Sequence, residues 1–312
     1  MRSLDLKQWR RGVGAVALLG TGSLLGLSRA HERSIPSAPA AFVASAVPAG
    51  IDEVSWDLPN LDHPRVDYFV GVFTGPRRAD LAQYLERMGR YQPMISAKLA
   101  ERGMPQDLIY LAMIESGFNP TAYSHAHASG LWQFIEGTAR GYGLDINLAV
   151  DERRDPEKAT DAALRYLRDL HEELGSWYLA AAAYNAGGGR VSRTLQKVTG
   201  AMRGGEESYY EIWSELPKET QDYVPMMVAA ARIAKEPQRY GFDAVRPAQP
   251  YAAAQVTVEA ATPLRAIAEL AGTSVAEIRR LNPQLKLERT RSDGPSTIRI
   301  PAGAKDGFQE RA

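Results

Sequence analysis

Apolar residues recur at three- and four-residue spacing through the middle of the chain. Leu81, Tyr84, Leu85 and Met88 open the pattern. Met94, Ile95 and Leu99 continue it, and Leu108, Leu111 and Ala112 resume it after Met104-Pro105. This is the period of helices with one buried face. Asp155-Pro156-Glu157 predicts a sharp helix start, because Asp can accept from free N–H groups and Pro is pre-shaped for the first helical position. The helix behind it carries Ala159, Ala163, Tyr166, Leu167, Leu170 and Leu174 on one stripe, and Gly175 closes it. A further helix is expected from Trp177 to Asn185, broken by Gly187-Gly188-Gly189 and resumed from Val191 to Val198. Pro217 opens a last long helix with Tyr223, Val224, Met227, Ala231 and Ile233. Residues 77–240 therefore read as nearly all helix with short connections, and the fold class as mainly α.

The pattern changes near Gln255. Val256-Thr257-Val258 and Ile298-Arg299-Ile300 alternate like short strands. Helical stretches from Pro263 to Ala271 and Ser274 to Leu281 lie between them, so a small β-α-α-β module is expected. Arg246-Pro247-Ala248-Gln249-Pro250 reads as the hinge before it. At the other end, residues 31–64 are rich in Ala, Pro and Ser and read as a linker. Residues 1–30 combine a basic start, an apolar run from Gly12 to Leu27 and Ser28-Arg29-Ala30, with small residues where a signal peptidase reads. That is the signature of an export signal. The alternative is an uncleaved membrane anchor, for which the run is short of the ~20 residues a span needs. The expected organisation is export signal 1–30, linker 31–64, helical domain 65–245, hinge 246–253, module 254–303 and tail 304–312.

Composition narrows the function. The 312 residues hold 37 basic and 37 acidic side chains and no cysteine. Disulfides, thiolate metal sites and a cysteine nucleophile are excluded. Residues 1–30 contain five of the bases and one of the acids, so the remainder carries a net charge of −4. Such a balance argues against a nucleic-acid partner. His125 and His127 have no further ligand at suitable spacing, so neither metal nor cofactor is expected.

Glu115 is the leading candidate for chemistry. It closes the helix Asp107 to Ile114, whose other face is Leu and Ile, and Ser116-Gly117-Phe118-Asn119-Pro120 cannot extend that helix comfortably. A carboxyl beside Phe118 is partly removed from water, which disfavours its charged form. The partial negative charge of a helix C-terminus pushes the same way. A carboxylic acid kept neutral near pH 7 is what general-acid cleavage of a glycosidic bond requires. From these local features alone, a solvated Glu at a helix end remains the competing reading.

Glu115-Ser116-Gly117-Phe118-Asn119-Pro120, Ser124, Gly130-Leu131-Trp132-Gln133-Phe134 and Ala183-Tyr184-Asn185-Ala186-Gly187 together resemble the lytic transglycosylases with a goose-lysozyme-like catalytic domain. Each block alone is weak; in this order and spacing they are specific. Asp151-Glu152-Arg153-Arg154-Asp155-Pro156 and Leu216-Pro217-Lys218-Glu219-Thr220-Gln221-Asp222-Tyr223-Val224-Pro225 resemble the membrane-bound D branch of these murein enzymes. The resemblance covers residues 64–245 and implies a lysozyme-like helical domain acting on peptidoglycan strands. It implies cleavage of the β-1,4 bond between N-acetylmuramic acid and N-acetylglucosamine, leaving a 1,6-anhydromuramoyl end, with Glu115 as the single catalytic acid and no cofactor. Ser116, Ser124, Gln133, Tyr184, Asn185 and Tyr223 take the positions of substrate-binding residues. The local readings compete: Ser124 as a turn serine, Gln133 as a buried hydrogen-bonding group, the tyrosines as core, Ser116 as a helix end. Trp132 replaces the family's methionine. The branch's lipid-attachment cysteine is missing, which favours a soluble periplasmic enzyme over an anchored one.

The tail module resembles a LysM domain, a fold that binds N-acetylglucosamine polymers. The usual Gly-Asp is Ala260-Ala261 here, Pro263 is inserted before Leu264, and Thr290 to Ser296 lacks the usual Gly-Gln-Lys run. A binder and a structural remnant are both open on that pattern. Two functional alternatives accompany the lyase reading: a muramidase hydrolase of the same fold, which needs a second carboxylate to position water, and a non-catalytic peptidoglycan-binding scaffold.

Overall fold

A computed structural model describes residues 55–60, 62–250 and 252–311. The expected export signal, and the linker up to residue 54, lie outside the described residues. Helix α1 (Pro64–Thr74) stands at the boundary where a linker was expected to end, thirteen residues before the helical pattern was expected to begin. Pro64 sits at the first helical position and the His63 ring accepts from the Arg65 N–H. Val66, Phe69, Val72 and Phe73 are buried, so its apolar stripe was readable. Even residues 55–60 are docked: Leu58 is buried, and the Asp57 and Leu58 N–H groups donate to Asp107 Oδ2 at 2.9 and 3.1 Å.

Helix α2 (Arg78–Glu101) is followed by α3 (Ile109–Ser116), α4 (Glu136–Gly141), α5 (Pro156–Leu174), α6 (Trp177–Ala186), α7 (Gly188–Thr199), the short α8 (Ser208–Glu211) and α9 (Lys218–Lys235). Asp155 caps α5 as expected, accepting from the Glu157 and Lys158 N–H groups at 3.0 Å each. Helix α9 packs on α1, α3 and α6, and a continuous core joins all of them. The connections are not all short as expected: residues 117–135 form a long loop held by isolated bridges such as Ser129 to Phe134. Its apolar residues mimic a helical stripe, but Gly117, Pro120 and Gly130 forbid one. Gly130 has φ +88°, and a Cβ there would lie 1.7 Å from the Arg153 carbonyl oxygen. Gly130→Ala is therefore expected to cost about 2–4 kcal/mol, measured by chemical denaturation.

The module has strands β1 (Ala253–Val258) and β2 (Ser296–Pro301), paired antiparallel with Val256 opposite Ile298. Between them lie α10 (Leu264–Leu270) and α11 (Val275–Leu281, capped by Ser274). The stretch expected to be a plain tail forms α12 (Lys305–Arg311), whose Phe308 is buried in the module core. The module does not stand clear of the helical domain. Val150 of the helical domain belongs to the module's core. The Asp151 N–H donates to the Gln284 carbonyl at 2.8 Å, and the Lys286 N–H to the Ala149 carbonyl at 2.9 Å. Arg299 of β2 donates to both carboxylate oxygens of Asp155 at 2.7 Å each and to Glu157 at 2.9 Å. The Arg299 and Asp155 side chains are 7% and 3% exposed, so the pair is removed from solvent.

Candidate active site

Glu115 occupies the last turn of α3, and the helix stops because Gly117 takes the left-handed conformation at φ 57°. A Cβ at Gly117 would come within 2.1 Å of the Tyr84 ring. The chain can leave α3 in this direction only with glycine there. Ser116 locks the exit: its hydroxyl donates to the Leu131 carbonyl at 2.8 Å and accepts from the Asn119 N–H at 3.1 Å. The end of α3 is thereby tied to the 130–134 segment.

That segment is pinned from below. The Trp132 indole N–H donates to Thr160 Oγ1 at 2.9 Å, so the residue that stands for a methionine is fully buried and hydrogen-bonded. Tyr184 of α6 donates to the Trp132 carbonyl at 2.8 Å. Gln133 adopts φ 46° and directs its amide N–H at the Gly130 carbonyl, 2.9 Å away, and at Ala122, 3.3 Å away. Ser124 accepts from the Ala128 N–H at 3.1 Å within its own turn. The buried Arg153 guanidinium, paired with Asp151, donates to the His127 and Phe134 carbonyls at 2.7 and 3.1 Å. His127 itself pairs with Tyr123 at 2.8 Å.

Glu115 is only 5% exposed, and its carboxyl is pushed up from 4.5 to about 8. Burial is the main cause; the Tyr223 hydroxyl opposes it, and the negative Glu219 adds to it. The side chain is therefore protonated at neutral pH. Tyr223 of α9 donates to Glu115 Oε1. Its own ionisation is pushed well above the ordinary tyrosine value, first by burial and then by Glu115, so it remains a donor. Asn185 donates to Glu219 Oε1 at 3.2 Å and accepts from Thr220 Oγ1 at 2.8 Å. Glu219 is the carboxylate that sequence reasoning did not single out, because it lies 104 residues from Glu115 and only the packing of α9 on α3 brings them together. Asp151, an acid of the same domain, is held by Arg153.

The arrangement joins Glu115 and Tyr223 directly, with Tyr184, Asn185 and Glu219 around them. Ser116, Ser124 and Gln133 shape the loop that faces the helix end. Removing the Tyr223 hydroxyl takes away a donor that favours the charged carboxyl. Tyr223→Phe is expected to raise the Glu115 pKa further. Any turnover that depends on Glu115 then falls by roughly tenfold or more, with the pH–rate profile displaced to higher pH. A profile measured from pH 4 to 10 checks the direction.

Comparison with known proteins bears on this site. Residues 92–203 match the Transglycosylase SLT domain, and residues 252–312 match the LysM-like domain of lytic transglycosylase MltD. Membrane-bound lytic murein transglycosylase D of Escherichia coli (strain K12) is 34% identical over 221 residues, covering 70% of this chain and 48% of that protein. Peptidoglycan transglycosylase gp16 of Escherichia phage T7 is 36% identical over 104 residues, 32% of this chain and 8% of that protein. A solved structure of an inactive mutant of lytic transglycosylase Slt from Pseudomonas aeruginosa is 26% identical, with a TM-score of 0.38, covering 47% of this chain and 24% of that one. The chain spans about half the length of the Escherichia coli protein it matches.

Proposed function

Because the chain carries a transglycosylase SLT domain followed by an MltD-type LysM-like domain, we propose that it is a peptidoglycan lytic transglycosylase. The observation that carries this reading is a buried, protonated Glu115 hydrogen-bonded by Tyr223. Glu115 gives its proton to the oxygen bridging N-acetylmuramic acid and N-acetylglucosamine as the C1–O bond breaks. The resulting carboxylate, now favoured by the Tyr223 donor, takes the proton from the muramoyl C6 hydroxyl. O6 then bonds to C1, giving the 1,6-anhydro end without consuming water. One residue serves as acid and then as base, because the first step leaves it in the form the second requires. The substrate acetamido group assists as in other glycosidases that lack a carboxylate nucleophile. Ser116, Ser124, Gln133, Tyr184 and Asn185 are proposed to line or shape the glycan cleft, and the export-like start of the chain supports a periplasmic location. Among the described residues no helix is long and apolar enough to cross a membrane.

Glu219 favours one second reading. A second carboxylate close enough to raise Glu115 electrostatically is the group a muramidase hydrolase would use to position water. The same experiment tests both: full chain is incubated with isolated sacculi and the released fragments are weighed. The lyase yields ends lighter by one water than hydrolytic ends; hydrated ends would replace the lyase by the hydrolase. Absence of any release would leave the scaffold reading.

A further inference from the structure

A cleft lies between α2, the 117–121 loop and α11 of the module. It encloses about 290 Å³ and is lined by Arg87, Arg90, Arg279 and Arg280, with Phe118 and Pro283 as apolar walls. Two carboxylates answer four guanidinium groups. Arg280 donates to Glu277 at 2.6 Å, and Arg279 pairs with Glu288. Arg87 donates to Gln83 at 3.1 Å and to the Gly117 carbonyl at 3.5 Å, both uncharged acceptors. The Arg90 guanidinium bonds the Tyr91 hydroxyl and lies near Glu277, but its Nε is buried without a hydrogen-bond partner. A buried guanidinium N–H left unpaired is costly, and an arginine fork is matched by a planar carboxylate. Phe118 and Asn119 line this cleft and lie three and four residues beyond Glu115 in the chain, so the loop that leaves the catalytic helix end forms one of its walls.

We propose that this interdomain cleft is an anion subsite that takes a carboxylate of the peptide branch borne by the glycan strand, with Arg87 and Arg90 as its principal cations. The docked module completes it, since α11 supplies one wall. The inference rests on the peptidoglycan reading above, and its test separates the two. Full-length wild type, an Arg87→Gln/Arg90→Gln pair and an Arg87→Lys/Arg90→Lys pair are assayed on sacculi with intact peptides and on sacculi stripped of peptides by an amidase. The Gln pair is expected to raise KM on intact sacculi about tenfold with kcat little changed, the Lys pair to fall between, and stripped sacculi to show no difference. An unchanged KM on intact sacculi, or an equal loss on both substrates, overturns the subsite. If no protein releases fragments, the proposed activity fails, and pelleting with intact sacculi still decides the subsite: the Gln pair must bind about tenfold more weakly than wild type. If the Gln pair unfolds, soluble peptide branch must displace wild type from intact sacculi, and its failure to do so refutes the proposal.

Discussion

Replacing Glu115 by Gln is expected to abolish fragment release from sacculi, by at least about 10³-fold, while the folded protein becomes more stable near neutral pH. The two effects share one cause. Gln keeps the shape and an oxygen for Tyr223 to bond, but it can neither give nor take the proton. The stability gain follows from linkage. The Glu115 pKa is raised in the folded state from 4.5 to about 8. Its folded form therefore holds a proton that the unfolded form releases, so its contribution is complete below pH 4.5 and is lost as pH rises towards 8. That loss runs at up to about 1.4 kcal/mol per pH unit for a single group. The melting temperature of Glu115→Gln should match wild type at pH 4 and exceed it increasingly up to pH 8. A surface glutamate would show neither the loss of turnover nor the pH-dependent divergence.

Breaking the Arg299–Asp155 pair is expected to have the largest structural effect. Arg299→Ala leaves an Asp155 carboxylate that is 3% exposed without its guanidinium and beside Glu157, at a cost of about 3–5 kcal/mol. The α5 cap survives, because the Glu157 and Lys158 N–H groups still bond Asp155 Oδ1. The cost therefore falls on the contact between module and helical domain. Calorimetry should resolve one wild-type transition into two, and proteases should cut within 246–250 in the variant. The double variant Asp155→Ser/Arg299→Met should recover much of the loss, since Ser retains a cap, Met fills the space, and the remaining Glu157 carboxylate is 30% exposed to solvent. An Arg299→Ala protein that melts like wild type, with its hinge protected, would contradict the pair's role.

These two sites mark how far the sequence could be read. Glu115, its helix and the breaking run after it are local: apolar spacing, a glycine and an Asn-Pro step specify them within a few residues. The Asp155 cap, the module strands Ala253–Val258 and Ser296–Pro301, and the mainly α class were legible for the same reason. Arg299 was not. It lies 144 residues from Asp155, in a strand whose alternation marks it as one more polar position. Glu219 was hidden in the same way, since a charged residue in the first turn of a helix is ordinary. The length of the loop at 117–135 was not legible, because burial rather than helical geometry set its apolar residues. Helix α1 was overlooked because the Ala- and Pro-rich composition before it obscured a plain stripe at Val66, Phe69 and Phe73. The visible hydrogen bonds of Ser116, Ser124, Gln133, Tyr184 and Asn185 go to the protein itself.

Glu115 keeps its proton at neutral pH because the fold has removed its carboxyl from water. Isotope-edited infrared or carbon NMR titration of Glu115, with glutamate labelled and Glu115→Gln as the assignment control, measures this directly. A protonated carboxyl signal that persists through pH 7 and titrates near 8 is the predicted result. A Glu115 that ionises near 4.5, as a solvated glutamate does, would contradict it.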